Sequence, residues 1–329
     1  MSIPATMRAL QQTSLDGPQD MRLITDAPVP VPGRREVLIR IAAAGINFAD
    51  ISKAHGTFRD GPRPPYLAGL EGAGEVVAVG EEVTGPCPGT RVIGVGNGAF
   101  AEYMVLPAAV AVPVPAGWSE QETLGLVVNW PTALAALKPL GGIAAGQTVL
   151  IHAAAGATGQ AAVRMAKHYG ATVIATASAG KHETVFALGA DHVLDSVGGD
   201  LAAEVLRLTS GAGADLVLES AGGTTFEASL ASLAVRGTLA LFGAASGPVP
   251  PFDPQRLNAA GSVFLTRPNL AHHTRTADEF SWRAGELLTA ISEGTLTVTV
   301  SNRYDLRDAE QAHRDLQGRK TVGSVVLVP

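Results

Sequence analysis

Residues 148–159 read Thr148-Val149-Leu150-Ile151-His152-Ala153-Ala154-Ala155-Gly156-Ala157-Thr158-Gly159. The stretch 148–153 favours a strand, opening with mostly β-branched, apolar residues. A run of small residues follows, and a helix is predicted from there over 158–169. A strand that turns through small residues into a helix gathers unpaired backbone N–H groups and a positive dipole end at one point, which suits a pyrophosphate. Gly156 and Gly159 hold the last two glycine positions of G-x-G-x-x-G, and Ala154 stands in the first. Small-residue packing of a helix on a strand would produce the same run, so the surroundings have to carry the reading.

Downstream, short apolar runs at 172–177, 192–195, 215–220, 238–243 and 262–266 alternate with helical stretches such as 181–188. That alternation predicts βαβ units on a six-stranded parallel sheet, with the small-residue turn as its first βα connection. Upstream the texture differs: β segments at 37–44, 74–80, 91–95 and 100–106 are broken by Gly and Pro, as in an irregular barrel or sandwich. Beyond Pro268 the expectations are a helix over 277–291, a strand over 297–304, a short helix from Asp308 and a strand over 324–328. The predicted architecture is therefore α/β, with a β-rich domain from 1–127 and 268–329 and a Rossmann domain from 128–267. The active site is expected in the cleft between them.

A domain that binds NAD usually offers Asp or Glu at the tip of its second strand, to hold the ribose 2′-hydroxyl. Here the tip is Thr176-Ala177-Ser178-Ala179-Gly180-Lys181, without an acid. A hydroxyl and an ammonium suit a 2′-phosphate, so Ser178 and Lys181 predict NADPH as the cofactor. Lys181 also reads as the first charged residue of a solvated helix.

The composition excludes several classes. With 329 residues, 46% hydrophobic and 16% charged, the chain is about twice a typical ~150-residue domain and can bury large cores. Its net charge of −6 and lack of a long basic run disfavour nucleic acid and anionic membrane surfaces. The start lacks a basic cap and apolar core, and no apolar run approaches a membrane span, so a cytoplasmic protein is expected. Cys87 is the single cysteine, which rules out an intrachain disulfide and a thiolate cluster. The eight histidines show no ligand spacing, and no metal site is expected. No G-x-S-x-G elbow supports a hydrolase.

Motifs along the whole chain resemble the zinc-independent NADPH:quinone oxidoreductases of the medium-chain dehydrogenase/reductase superfamily. They include Ala44-Gly45-Ile46-Asn47-Phe48-Ala49-Asp50, Gly69-Leu70-Glu71-Gly72-Ala73-Gly74-Glu75-Val76, Gly98-Ala99-Phe100-Ala101-Glu102-Tyr103, the turn quoted above, Leu188-Gly189-Ala190-Asp191-His192-Val193, Phe242-Gly243-Ala244-Ala245-Ser246-Gly247 and Gly318-Arg319-Lys320-Thr321-Val322-Gly323. The resemblance implies a GroES-like catalytic domain, a Rossmann domain, hydride transfer from NADPH to a quinone, and a homodimer formed along the cofactor sheet's edge. An activated alkene or enoyl thioester is the alternative acceptor; a protein that binds NADPH with little turnover is the alternative of another class.

By the same resemblance, Asn47, Asn129 and Thr132 serve the nicotinamide and substrate side. Ala155, Gly156, Ala157, Thr158, Gly159, Ser178, Lys181, Phe242, Gly243, Ala244 and Arg319 serve the cofactor. Asn47 equally reads as a turn-closing residue, Pro131 beside Asn129 as a helix start, and Arg319 as a solvated turn residue. Where zinc-dependent relatives place Cys and His ligands, this chain has Asn47 and Leu70, keeping only Glu71. Ser52, Phe58 and Ser196 stand where tyrosines are common in the family, which implies a weaker NADPH preference and a less polar pocket that suits an enal, enone or enoyl thioester.

Overall fold

The computed structural model describes residues 2–273 and 275–329. It divides into two compact units, one of Met1–Val128 with Val298–Pro329 and the other of Asn129–Thr297. In chain order the first stretch carries β1 (Thr6–Gln12), β2 (Met21–Pro28), β3 (Glu36–Ile46), α1 (Phe48–Ala54), β4 (Tyr66–Leu67), β5 (Glu71–Val79), β6 (Arg91–Val95), β7 (Tyr103–Pro107), β8 (Val112–Pro113) and α2 (Glu120–Thr123). The central unit carries α3 (Asn129–Ala135), β9 (Thr148–Ile151), α4 (Ala157–His168), β10 (Thr172–Ala177), α5 (His182–Ala187), β11 (His192–Asp195), α6 (Leu201–Leu208), β12 (Ala214–Glu219), α7 (Phe226–Ala231), β13 (Leu233–Leu241), α8 (Gln255–Ala259), β14 (Phe264–Thr266) and α9 (Ala277–Ser292). The chain then returns with β15 (Val300–Asp305), α10 (Ala309–Gln317) and β16 (Ser324–Val328).

The central strands form one parallel six-stranded sheet in the order β11-β10-β9-β12-β13-β14. Strand order therefore reverses between β9 and β12, which opens a crevice at the carboxyl ends of the strands. Sheet and helices meet in a core that includes Leu150, Ile174, Val217, Phe226 and Leu239, all nearly inaccessible to water. Strands buried on both faces read as continuous apolar runs, which is why β9, β10 and β12 are legible in the sequence.

The compact central unit runs on to Thr297, past the boundary expected at 267. The reason lies in α9, which packs with α3 and whose Glu286 accepts a hydrogen bond from Tyr169 Oη, just after α4, at 2.9 Å. The strand expected over 297–304 begins only at Val300. β13 starts at Leu233 rather than 238, because an irregularity in its pairing with β12 lets the chain join the sheet early.

The terminal unit is built on a seven-stranded sheet with the path β15-β16-β3-β5-β6-β8, β7 pairing with β3, and a three-stranded sheet β2-β1-β4. Its core gathers Val37, Ile39, Val76, Val92, Phe100, Leu106 and Leu327. In the antiparallel pairing of β3 with β5, Gly45 lies opposite Glu71. A Cβ at Gly45 would come within 2.4 Å of Glu71 Oε2, so the glycine leaves the room the carboxylate occupies.

Candidate active site

The central unit places the loops that the sequence singled out along one edge of its sheet. After β9, Ala153 takes a left-handed conformation at φ 49°, and Gly156 caps α4 with extended geometry. A Cβ at Gly159 would sit 2.3 Å from Ala153 O and 2.6 Å from Ala154 Cα, so close packing of helix on turn requires glycine there. The N–H groups of Ala157, Thr158 and Gly159 head α4, where an α-helix leaves its first donors without intrahelical partners. Gln160 Nε2 donates to Ala155 O at 2.9 Å and braces the turn from below. Asn129 Nδ2 donates to Thr158 Oγ1 at 3.0 Å, which ties the start of α3, and with it Thr132, to the same helix end.

β10 lies beside β9, and Ser178 follows it at the head of the turn Ala179–Lys181. Lys181 N donates to Ser178 O at 2.8 Å, so the hydroxyl and ammonium predicted for the 2′-phosphate share one turn. Ser196 is adjacent, its N–H donating to Ala177 O at 2.8 Å. On the other side of the crevice, Phe242, Gly243 and Ala244 follow β13, and the N–H groups of Phe242 and Gly243 donate to Glu219 O. Arg319 belongs to the terminal unit, exposed after α10 with φ 56°.

Beneath this edge runs a buried polar junction that the sequence reading passed over. Glu219, at the end of β12, is wholly buried and receives four donors: the N–H groups of Ala221 and Gly222 and the hydroxyls of Thr225 and Ser229. Because a carboxylate without its proton only accepts, Ser229 donates to it and must accept from His152 Nε2 at 2.8 Å. The imidazole is then the Nε2–H tautomer, and its Nδ1 accepts from Thr176 Oγ1 at 3.3 Å. Burial pushes the His152 pKa down, with Glu219 opposing, which keeps the ring neutral. The junction links the ends of β9, β10 and β12 to α7, directly under the loops named above. Its sequence signal was a polar residue closing each of two apolar runs, Ile151-His152 and Leu218-Glu219.

In the terminal unit, Asn47 heads α1, with its backbone N–H donating to Asp50 Oδ2 at 2.8 Å. Its side-chain Nδ2 donates to Glu71 Oε2 at 3.2 Å, while Glu71 Oε1 accepts from Gly125 N–H at 2.7 Å. Both carboxylates are buried. Burial drives Glu71 up to about 7 against the two donors, and it drives Asp50 up to about 6 against the Asn47 N–H and the Lys53 ammonium. Among the described residues, no three His, Cys, Asp or Glu side chains group as a metal site would need. Nor is any helix among them long and apolar enough to cross a membrane.

Two family models match the chain: the alcohol dehydrogenase GroES-like domain over 33–116 and the zinc-binding dehydrogenase over 157–283. The quinone oxidoreductase of Pseudomonas aeruginosa is 35% identical over 98% of this chain and 99% of its own length. A 2-haloacrylate reductase from a Burkholderia species is 35% identical, with 92% and 94% covered. Among solved structures, a mycobacterial protein complexed with NADPH superimposes with a TM-score of 0.94 at 47% identity, covering 98% of this chain and all of that one. The Escherichia coli quinone oxidoreductase complexed with NADPH gives 0.93 at 31% identity, with 98% and 100% covered.

Proposed function

Since this chain belongs to the quinone oxidoreductase family of the medium-chain dehydrogenase/reductase superfamily, we propose that it uses NADPH, works without zinc, and reduces a quinone or an activated alkene. One observation carries the reading: the turn after β9, the Ser178–Lys181 turn and the loop after β13 line one edge of a parallel sheet at its switch point. NADPH, when bound, supplies the hydride. The N–H groups of Ala157, Thr158 and Gly159 hold its pyrophosphate, and Ala155 and Gly156 keep the approach open. Ser178 and Lys181 hold the 2′-phosphate, with Arg319 as a further cation for the adenosine end. Phe242, Gly243 and Ala244 support the cofactor across the crevice, while Asn129, Thr132 and Asn47 orient the reacting end.

The residues at the zinc-ligand positions do not suit zinc. Leu70 has no ligand atom, and both oxygens of Glu71 are engaged by Gly125 and Asn47. A catalytic zinc takes three protein ligands. Reduction of an electron-poor acceptor asks mainly that donor and acceptor be held in register. The proton that completes a quinol or a saturated carbonyl product comes from solvent, so no side-chain acid is indispensable.

The activated-alkene reading has its own support in the likeness to a 2-haloacrylate reductase and in Ser52 and Phe58, which replace tyrosines common in the family. Homodimerisation along the edge strand β14, where Phe264 is 62% exposed, belongs to the same reading, as does a cytoplasmic location; sedimentation tests the dimer. Function is tested by following NADPH oxidation by chelator-treated protein with a benzoquinone, a naphthoquinone, an enone, an enal and an enoyl thioester, each repeated with NADH. Chelator-insensitive turnover with any of them bears out the reductase. Tight NADPH binding with no turnover across the set overturns it in favour of a binding protein.

A further inference from the structure

A small polar chamber lies in the terminal unit, lined by Gln12, Asp50, Lys53, Tyr66 and His313, together with Met21, Ala68, Gly69 and Phe100. Its volume of about 10 Å³ is the room one water needs. Two buried acceptors there, Gln12 Oε1 and Asp50 Oδ1, receive no hydrogen bond from the protein. The orientation of Gln12 is fixed, because its Nε2 donates to Ser14 O at 3.1 Å and Gly17 O at 2.7 Å; a flipped amide would set oxygen against two carbonyls. The other oxygen of Asp50 accepts from the Asn47 N–H, and the backbone N–H groups of Asp50 and Leu70 also favour the charged carboxylate. Lys53, one turn along α1 and only 7% exposed, interacts electrostatically with Asp50 without forming a direct ion pair. His313 adds no donor for these acceptors, since its Nδ1–H goes to Ala309 O at 2.7 Å and its burial keeps the ring neutral.

The chamber thus presents two acceptors to which no protein donor is bonded, with Lys53 in its lining and the Lys53 Nζ 5.6 Å from the Phe58 ring centroid. We propose that it binds a single water, which donates to Gln12 Oε1 and Asp50 Oδ1 and accepts from Lys53 Nζ, and that Lys53 thereby acts as a positioning residue for Asn47. A tetrahedral water has the two donors and the acceptor that this set requires. By keeping Asp50 in its charged form, the Lys53–water bridge strengthens the bond that the Asn47 N–H donates to Asp50 Oδ2 at the head of α1. The titratable groups facing Asp50 are Lys53 on α1, Tyr66 on β4, Glu71 on β5 and His313 on α10, beside neutral Gln12 on β1 and the Leu70 backbone N–H. Of these, Lys53 is the cation, so its removal sets the direction of any shift.

The role given to Lys53 rests on the reading of Asn47 above, whereas the water does not. A high-resolution crystal structure of the wild-type chain is expected to show one water within hydrogen-bond distance of Gln12 Oε1, Asp50 Oδ1 and Lys53 Nζ. A chamber without it overturns the site. Carbon-13 titration of the Asp50 carboxyl, assigned with Asp50→Asn, is expected to show a midpoint about one unit or more higher in Lys53→Met. An unchanged midpoint overturns the bridge, and Lys53→Gln gives the same readout should Lys53→Met fail to fold. The acid limb of kcat is expected to move to higher pH in the same variant, with KM for NADPH unchanged. If the carboxyl midpoint moves and the limb stays, the positioning role is overturned. A wild-type protein without turnover overturns the proposed function while the crystallographic and carboxyl readouts still decide the water.

Discussion

Asn47 Nδ2 lies 3.2 Å from Glu71 Oε2, so a buried carboxylate dictates which end of the Asn47 amide turns inward. The other oxygen of Glu71 is held by Gly125 N–H, which leaves the carboxylate between two donors. Glu71→Gln puts an NH₂ group against one of them whichever way the new amide turns, so either Asn47 turns over or the bond from Gly125 N–H is lost. We expect turnover to fall about tenfold, the worth of roughly one lost hydrogen bond, with NADPH affinity little changed. Steady-state kinetics paired with a fluorescence titration of NADPH checks the split.

Stability should depend on pH through Glu71 and its buried neighbour Asp50. Burial raises Glu71 to about 7 and Asp50 to about 6, both above their ordinary range, so the folded chain binds more protons than the unfolded one across that window. Their contribution is fully present below the unfolded pKa and is lost as pH rises toward about 7. For Glu71 alone the loss is on the order of 3 kcal/mol. Urea unfolding at acid and alkaline ends of the window should show a shallower decline for Glu71→Gln than for the wild type.

The turn after β9 tolerates one alanine and not another. A Cβ at Gly159 would overlap Ala153 O, whereas one at Gly156 approaches the same oxygen only to 3.4 Å. Gly159→Ala should weaken NADPH binding by more than about tenfold through displacement of the helix head, and Gly156→Ala by much less. Calorimetric titration of both variants against the wild type tests the ranking.

Lys181 and Ser178 share one turn, so a cofactor phosphate held there should feel their loss selectively. Lys181→Ala is expected to weaken NADPH about tenfold and leave NADH unchanged. An equal effect on both cofactors would place the phosphate elsewhere.

Four donors converge on Glu219, and its carboxylate satisfies all of them. Glu219→Gln sets an NH₂ among those donors and should cost about 2–4 kcal/mol, with Ser229→Ala costing less. Equilibrium unfolding measures both values.

Much of the fold was open to a reading of the chain alone, because its rules are local. Apolar runs buried on both faces, small residues at a βα turn and the change of texture near residue 146 are visible along the sequence. Arg91–Val95, Thr172–Ala177, His192–Asp195 and Ser324–Val328 form strands with the bounds expected of them. Tertiary structure alone brought His152, Thr176, Glu219 and Ser229 into one buried junction, and Gln12, Asp50, Lys53, Tyr66 and His313 around one chamber. It also gave α9 to the central unit. Those arrangements join residues far apart in the chain, and what pairs them is strand order and burial, which desolvates a polar group and makes a distant partner necessary.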